Sequence, residues 1–193
     1  MGIEQLPHDV RRLYEVHEWN HACAILSRDF PQEWRDIIDV LLSFQLLKSH
    51  VAALQRGKSP VSQAMDTLFY QRGWQEKAFE TQVMVDKEPI ESRTHKVDCF
   101  RNRVALEIEW NNKDTFYDRD LNNFRILFDL RAISVGVIIT RSDELQSVFC
   151  AAGKRKWTST THMSKLLPRI KGGGCGGCPL LVLGITRELY VDD

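Results

Sequence analysis

Hydrophobic positions along this chain follow two periods, and together they predict a mixed α/β protein. Helical spacing appears in Trp34, Ile37, Ile38, Leu41, Leu42 and Leu46, which recur every three or four residues behind Pro31. Proline suits a first helical turn, so a helix burying one face is expected there. Glu33, Asp36 and Asp39 fall roughly on its other side, where solvation is the plain expectation. Ser59 is placed to cap a second helix with Pro60 in its first turn, Met65, Leu68 and Phe69 inward, and Gly73 at its end. Residues 116–132 predict a third helix with Leu121, Phe124, Leu127 and Phe128 as its buried stripe. Shorter helices are expected over 143–150 and 163–170, and Asn20 is placed to cap a helical turn reaching Leu26.

Period two marks the strands. Residues 13–19 read as a short strand and residues 79–85 alternate. Residues 133–139 and 180–185 are almost wholly apolar, as strands covered on both faces are. Residues 48–58 read as a helix end and loop, and 88–94 as a loop. No internal repeat and no linker divides the 193 residues, so one domain spanning 1–193 is expected.

The sharpest alternation lies within residues 97–110. Val104, Leu106, Ile108 and Trp110 point one way, and Ala105, Glu107 and Glu109 the other. That is the pattern of a half-buried strand. Arg101-Asn102 reads as a two-residue loop turning the chain back, which sets Asp98 opposite Ala105. Glu107 is then its diagonal neighbour on the same face, about 7–8 Å away between backbone positions. Three carboxylates gathered there repel one another unless protons or a cation neutralise them. A hard divalent cation with oxygen ligands answers this, and Mg²⁺ is the usual one. On the pattern alone, the alternative is a solvated face of an antiparallel strand.

These residues resemble the catalytic segment of restriction endonucleases, an Asp followed by a strand carrying Glu-x-Lys or a variant of it. The resemblance is closest to the BglII/BstYI group of the PD-(D/E)xK nuclease superfamily. It extends to Tyr14-Glu15-Val16-His17-Glu18-Trp19-Asn20-His21, to residues 31–44, and to Ser59-Pro60-Val61 with Arg72-Gly73-Trp74. It continues through the apolar segments 135–139 and 179–185. The resemblance implies an α/β fold with a restriction-endonuclease-like mixed central sheet, flanked by helices and carrying a catalytic β-hairpin. It implies Mg²⁺ held by Asp98, Glu107 and the main-chain carbonyl of Ile108, with Glu109 orienting or deprotonating the attacking water. The group usually has Gln at the position of Glu109, and many relatives have Lys. A glutamate there accepts protons better but cannot stabilise negative charge at phosphorus as lysine does.

Composition adds a partner. Net charge is zero, yet no Asp or Glu occurs between Leu145 and Arg187, a stretch holding Lys154, Arg155, Lys156, Lys165, Arg169 and Lys171. Such asymmetry is a footprint for a polyanion. Amides, hydroxyls and guanidinium groups read base edges. Asn111, Asn112 and Lys113, just past the acidic strand, and Lys156, Thr158, Ser159, Thr160 and Thr161 are the segments the resemblance assigns to that task. Lys154, Arg155 and Lys165 look like phosphate contacts. The alternatives are a polar turn and a solvated loop.

Five cysteines, an odd number, suit a reduced compartment. Cys175-Gly176-Gly177-Cys178 resembles half of a zinc knuckle, but no second ligand pair has the spacing, and a flexible glycine loop is the preferred reading. His17, His21 and His162 are expected to be structural. Residues 1–7 contain no signal-peptide core and no run is apolar enough to span a membrane, so a cytoplasmic protein is expected.

The function implied is type II restriction: hydrolysis of double-stranded DNA at a short palindrome with a GATC core, leaving 5′-phosphates. A homodimer and a cognate DNA methyltransferase in the same cell are the expected partners. Two other readings stay open, a repair or recombination nuclease using the same hairpin, and a module that binds DNA without cutting it.

Overall fold

A computed structural model of the chain describes residues 2–53, 57–93, 95–151 and 160–193. Its first elements are α1 (His8–Leu13), β1 (Tyr14–Trp19), α2 (Ala22–Asp29), α3 (Pro31–Ser43), β2 (Leu46–Leu47), α4 (Lys48–Ala52) and α5 (Pro60–Tyr70). Strands β3 (Gln75–Lys77), β4 (Glu80–Val85), β5 (Glu88–Arg93), β6 (Val97–Arg101) and β7 (Val104–Ile108) follow. The chain closes with α6 (Phe116–Asp129), β8 (Val135–Arg141), α7 (Leu145–Ala151), α8 (Met163–Lys171), β9 (Leu180–Ile185) and β10 (Tyr190–Val191).

Six strands make the main sheet in the order β1-β9-β8-β7-β6-β3. The middle three, β9, β8 and β7, run parallel, and the outer pairings are antiparallel. Helices cover both faces, giving the mixed α/β architecture that the sequence predicts. One core joins Val104, Leu106 and Ile108 to Leu26 of α2, Ile37 and Leu41 of α3, and Met65 of α5. The other joins Ala105 to Tyr117, Leu121 and Phe124 of α6 and to Leu166 of α8. The alternation of β7 therefore sorts its side chains between two cores. It is not half-buried: every residue of β7 is buried, because the strand lies inside the sheet with helices above and below. No helix among the described residues is long and apolar enough to cross a membrane.

The hairpin turn is Asn102-Arg103 and not Arg101-Asn102. Both residues have positive φ, 43° and 68°, as a two-residue turn that matches strand twist requires. Arg101 stays in β6 and pairs with Val104, and Cys99 pairs with Leu106. Continued one pair beyond the ladder, this register would set Asp98 opposite Glu107 instead of Ala105, and the Asp98 N–H does donate to the Glu107 side chain. A shift of two residues preserves the face, so the acids still share a side.

Other expectations change as well. Glu33 and Asp36 are buried, 3% and 4% exposed, and only Asp39 of the three acids on α3 is exposed. Arg101 reaches across from β6, with Nη1 3.0 Å from Asp36 Oδ2 and Nε 3.5 Å from Glu33 Oε1. Trp74 Nε1 donates to the same Asp36 oxygen at 3.0 Å. Pairing and hydrogen bonding offset the cost of burying those charges. Residues 88–93 form β5, paired with β4 around Asp86-Lys87, where both φ values are again positive, 47° and 71°. Pro89 argues against a strand, but a two-stranded ribbon has outer edges that need no donor. The helix after Asn20 starts at Ala22, and the Asn20 amide instead donates to Gly177 O at 3.2 Å. The glycine run is a packed turn and no free loop: Gly176 has φ 57°, and a Cβ there would come within 2.8 Å of Arg125 Cγ.

Candidate active site

Strands β6 and β7 exchange side chains for backbone partners at Asp98. The Ile108 N–H donates to Asp98 Oδ2 at 3.1 Å, and the Asp98 N–H donates to Glu107 Oε2 at 3.3 Å. Each acid is thus fixed by the other's strand. Tyr70 of α5 adds a hydrogen bond from its hydroxyl to Asp98 O at 3.1 Å. Glu107 is 1% exposed, and its second oxygen, Oε1, has no hydrogen-bond partner. A buried carboxylate oxygen without a donor is costly. Burial, followed by the charges of Asp120, Asp98 and Glu109, raises the Glu107 pKa well above the ordinary carboxylate range.

A divalent cation would relieve that arrangement. Asp98, Glu107 Oε1 and the Ile108 carbonyl are hard oxygen donors of the kind such a cation takes, and the orphaned oxygen lacks a positive partner. Among the described residues no three His, Cys, Asp or Glu side chains gather as a metal cage. Two carboxylates, a carbonyl and water are the set this site offers.

Glu109 belongs to a second group. It is also 1% exposed, accepting from Asn112 Nδ2 at 2.7 Å, with Arg119 Nη2 3.4 Å from its Oε1. Asp120 of α6 lies beside it, fully buried. Its Oδ1 accepts from Arg119 Nε at 2.8 Å, while its Oδ2 meets no donor. Burial, then the charge and hydrogen bond of Asp120, push Glu109 up to about 9. Burial likewise raises the Asp120 carboxyl. Asp120 was not among the expected site residues. The signal for it was an acid on the inner face of a helix, three residues after Tyr117 and four before Phe124.

Asp98, Ile108, Glu109, Asn112 and Arg119 line one cleft of about 500 Å³, with Lys58 among its walls. Beyond β7 the two candidate base-reading segments meet. Thr161 N–H donates to Asn112 O at 2.9 Å, and Lys113 forms a β-bridge with Thr160. Arg141, 3% exposed at the end of β8, ties them together. Its Nε donates to Thr161 O at 2.9 Å, its Nη1 to Asn111 Oδ1 at 3.2 Å, and its Nη2 to Thr160 Oγ1. Sequence reasoning missed Arg141 too, because an apolar strand hid it. Asn111 and Lys113 are exposed, whereas Thr161 is buried. Lys154, Arg155, Lys156, Thr158 and Ser159 lie outside the described residues. Lys165 is 3.8 Å from Asp114.

The remaining candidates sit elsewhere. His162 Nδ1 is 2.6 Å from Asp143 Oδ1, and His17 Nε2 is 2.8 Å from Glu15 Oε1. Cys175 and Cys178 are buried in the second core, where burial pushes the Cys178 thiol up to about 12.

The family model described as restriction endonuclease BglII/BglIII matches residues 14–185. No individually curated protein matches the chain.

Proposed function

The chain belongs to the BglII/BglIII restriction endonuclease family, and from that premise we propose that it is a type II enzyme cutting both strands of a short DNA palindrome. Members of such a family are nucleases that act on DNA, and restriction endonucleases generally use divalent metal ions. Our finer reading is a Mg²⁺-dependent homodimer that cuts at a GATC core. It works in the cytoplasm alongside a methyltransferase that protects the host's own sites.

The observation that carries this reading is the mutual lock of Asp98 and Glu107 around an unpartnered, buried oxygen. Asp98, Glu107 and the Ile108 carbonyl would hold the ion, which polarises a scissile phosphate oxygen and acidifies a water. Glu109 and Asn112 orient the attacking water. Asp120 Oδ2, which has no donor of its own, accepts the proton that Glu109 sheds, leaving Glu109 charged and able to take a proton from that water. The new P–O bond forms in line with the bond that breaks. The departing 3′-oxygen takes a proton from solvent, leaving a 5′-phosphate on one fragment and a 3′-hydroxyl on the other. The ribbon of Asn111–Lys113 with Thr160–Thr161 reads bases from the groove, oriented by Arg141.

A Mg²⁺ digest of phage DNA, followed by sequencing of the fragment ends, tests this directly. Discrete fragments with one palindrome at every end are expected. Asp98→Asn and Glu107→Gln are expected to cut at least about 100-fold more slowly, roughly 3 kcal/mol of barrier, while still binding the duplex. Either variant cutting within about tenfold of the parent would show that the ligands are misassigned.

A further inference from the structure

Lys58 approaches the hairpin from outside it. It stands directly before Ser59, whose Oγ accepts from Ser62 N at 3.0 Å and caps α5. Lys58 Nζ lies 2.6 Å from Asp66 Oδ2 and 3.0 Å from Asp98 Oδ1. Asp66 is buried on α5, 4% exposed, whereas the Lys58 side chain is 37% exposed and lines the cleft with Glu109 and Arg119. One end of this bridge is therefore anchored in the protein. The other rests on a carboxylate assigned above to the ion.

Charge at the site needs such a group. Asp98 and Glu109 line the cleft, Glu107 and Asp120 are buried beside them, and hydrolysis adds negative charge at phosphorus. Glu109 cannot stabilise it. Arg119 is engaged by Glu109 and Asp120 and is stacked 4.2 Å from the Phe116 ring centroid. An ammonium, unlike a planar guanidinium fork, can leave one carboxylate and keep another.

We propose that Lys58, anchored by Asp66, is a catalytic residue of this site. It neutralises Asp98 in the metal-free protein and turns its ammonium to the scissile phosphate once a divalent cation takes Asp98. The proposal rests on the nuclease reading above. Asp66 is its positioning residue.

The test compares full-length Lys58→Gln, Lys58→Arg, Asp66→Asn and Asp98→Asn proteins. Ca²⁺ binding without DNA, duplex affinity in Ca²⁺, and single-turnover cleavage in Mg²⁺ are measured. Lys58→Gln is expected to bind Ca²⁺ at least about threefold tighter, because the competitor for Asp98 is gone. It should cleave at least about 100-fold more slowly, with duplex affinity changed less than about tenfold. Lys58→Arg keeps both ion pairs and hence the fold, but its fork stays on the two carboxylates, so cleavage should fall at least about tenfold. Asp66→Asn should lower the cleavage rate by about tenfold without weakening DNA binding.

Cleavage by Lys58→Gln or Lys58→Arg within about threefold of the parent overturns the proposal. A loss in Lys58→Gln that merely tracks weakened DNA binding also overturns it. An Asp98→Asn protein that still cuts sinks the assignment of Asp98 to the ion, and with it the premise on which the role of Lys58 rests. An inactive Asp98→Asn beside a fully active Lys58→Gln sinks only the role of Lys58.

Discussion

Glu107 and Glu109 are carboxyls that folding makes harder to ionise. Burial raises both, Glu109 to about 9. Between the ordinary Glu value of 4.5 and that figure, the folded state holds a proton the unfolded chain has released. Stability therefore falls as pH rises through this window. Asp66, raised by burial from 3.8 to about 6, acts in the same direction at its acid end. The expected result is a thermal midpoint of metal-free protein that drops from about pH 5 to about pH 9. Each such group costs up to about tenfold in the folding constant per pH unit. Excess Mg²⁺ or Ca²⁺ should flatten the slope, because the cation binds the ionised acids of the folded state. Glu109→Gln should flatten it in part. A midpoint that climbs over the same range would mean these acids are charged in the folded protein. At this scale strand parity put Asp98, Glu107 and Glu109 on one face, and the family resemblance supplied their proposed roles. Asp120, Lys58 and Arg141 were not legible. Their roles depend on α6, the start of α5 and the end of β8 converging, and no local period encodes that.

Among the elements, the hairpin shows how parity outlasts an error of register. Reading the loop as Arg101-Asn102 instead of Asn102-Arg103 moved the pairing by two residues, and two is the period of the strand. The acids stayed on their face, and the true register brought them closer. Arg101 belongs to the strand because its guanidinium is committed to Glu33 and Asp36 of α3, a contact far away in sequence. The same contact explains why the acids of α3 are not its solvated face. Arg103, at φ 68°, occupies the left-handed region where a side chain is strained. Arg103→Gly is expected to stabilise the protein by about 0.5–1 kcal/mol, since glycine suits the second position of this turn and its cost in unfolded-chain entropy is smaller than the strain relieved. A denaturant midpoint that moves up with an unchanged slope would register this. A downward shift would mean the exposed guanidinium contributes more than its backbone costs. The second strand of the β4–β5 ribbon escaped notice for a related reason. Its turn, Asp86-Lys87, lacks glycine, and Pro89 sits where a ladder donor is normally wanted.

For the molecule as a whole, the decisive issue is that each chain supplies one Asp98 and one Glu107, whereas a palindrome presents two strands. A single site cuts one phosphodiester at a time. Concerted double-strand cleavage therefore needs two sites related by a two-fold axis, which the proposed homodimer of the 22.4 kDa chain would supply. Charge placement fits such a use. The acids cluster in the N-terminal part and around the hairpin, and the stretch between Leu145 and Arg187 has none, so a polyanion can be held without an overall positive charge. Mixing parent and Asp98→Asn chains separates paired from independent sites. After subunit exchange with an excess of Asp98→Asn, most parent chains sit beside an inactive partner. Each such dimer binds the site correctly but hydrolyses one strand, so supercoiled plasmid should accumulate as open circles with a single nick. Parent enzyme alone should yield linear DNA with little nicked intermediate. If the chains instead worked as independent monomers, the inactive variant would only compete for sites. Linear product would then still form, at a rate set by the fraction of parent protein, and sedimentation equilibrium at working concentration would return the mass of one chain.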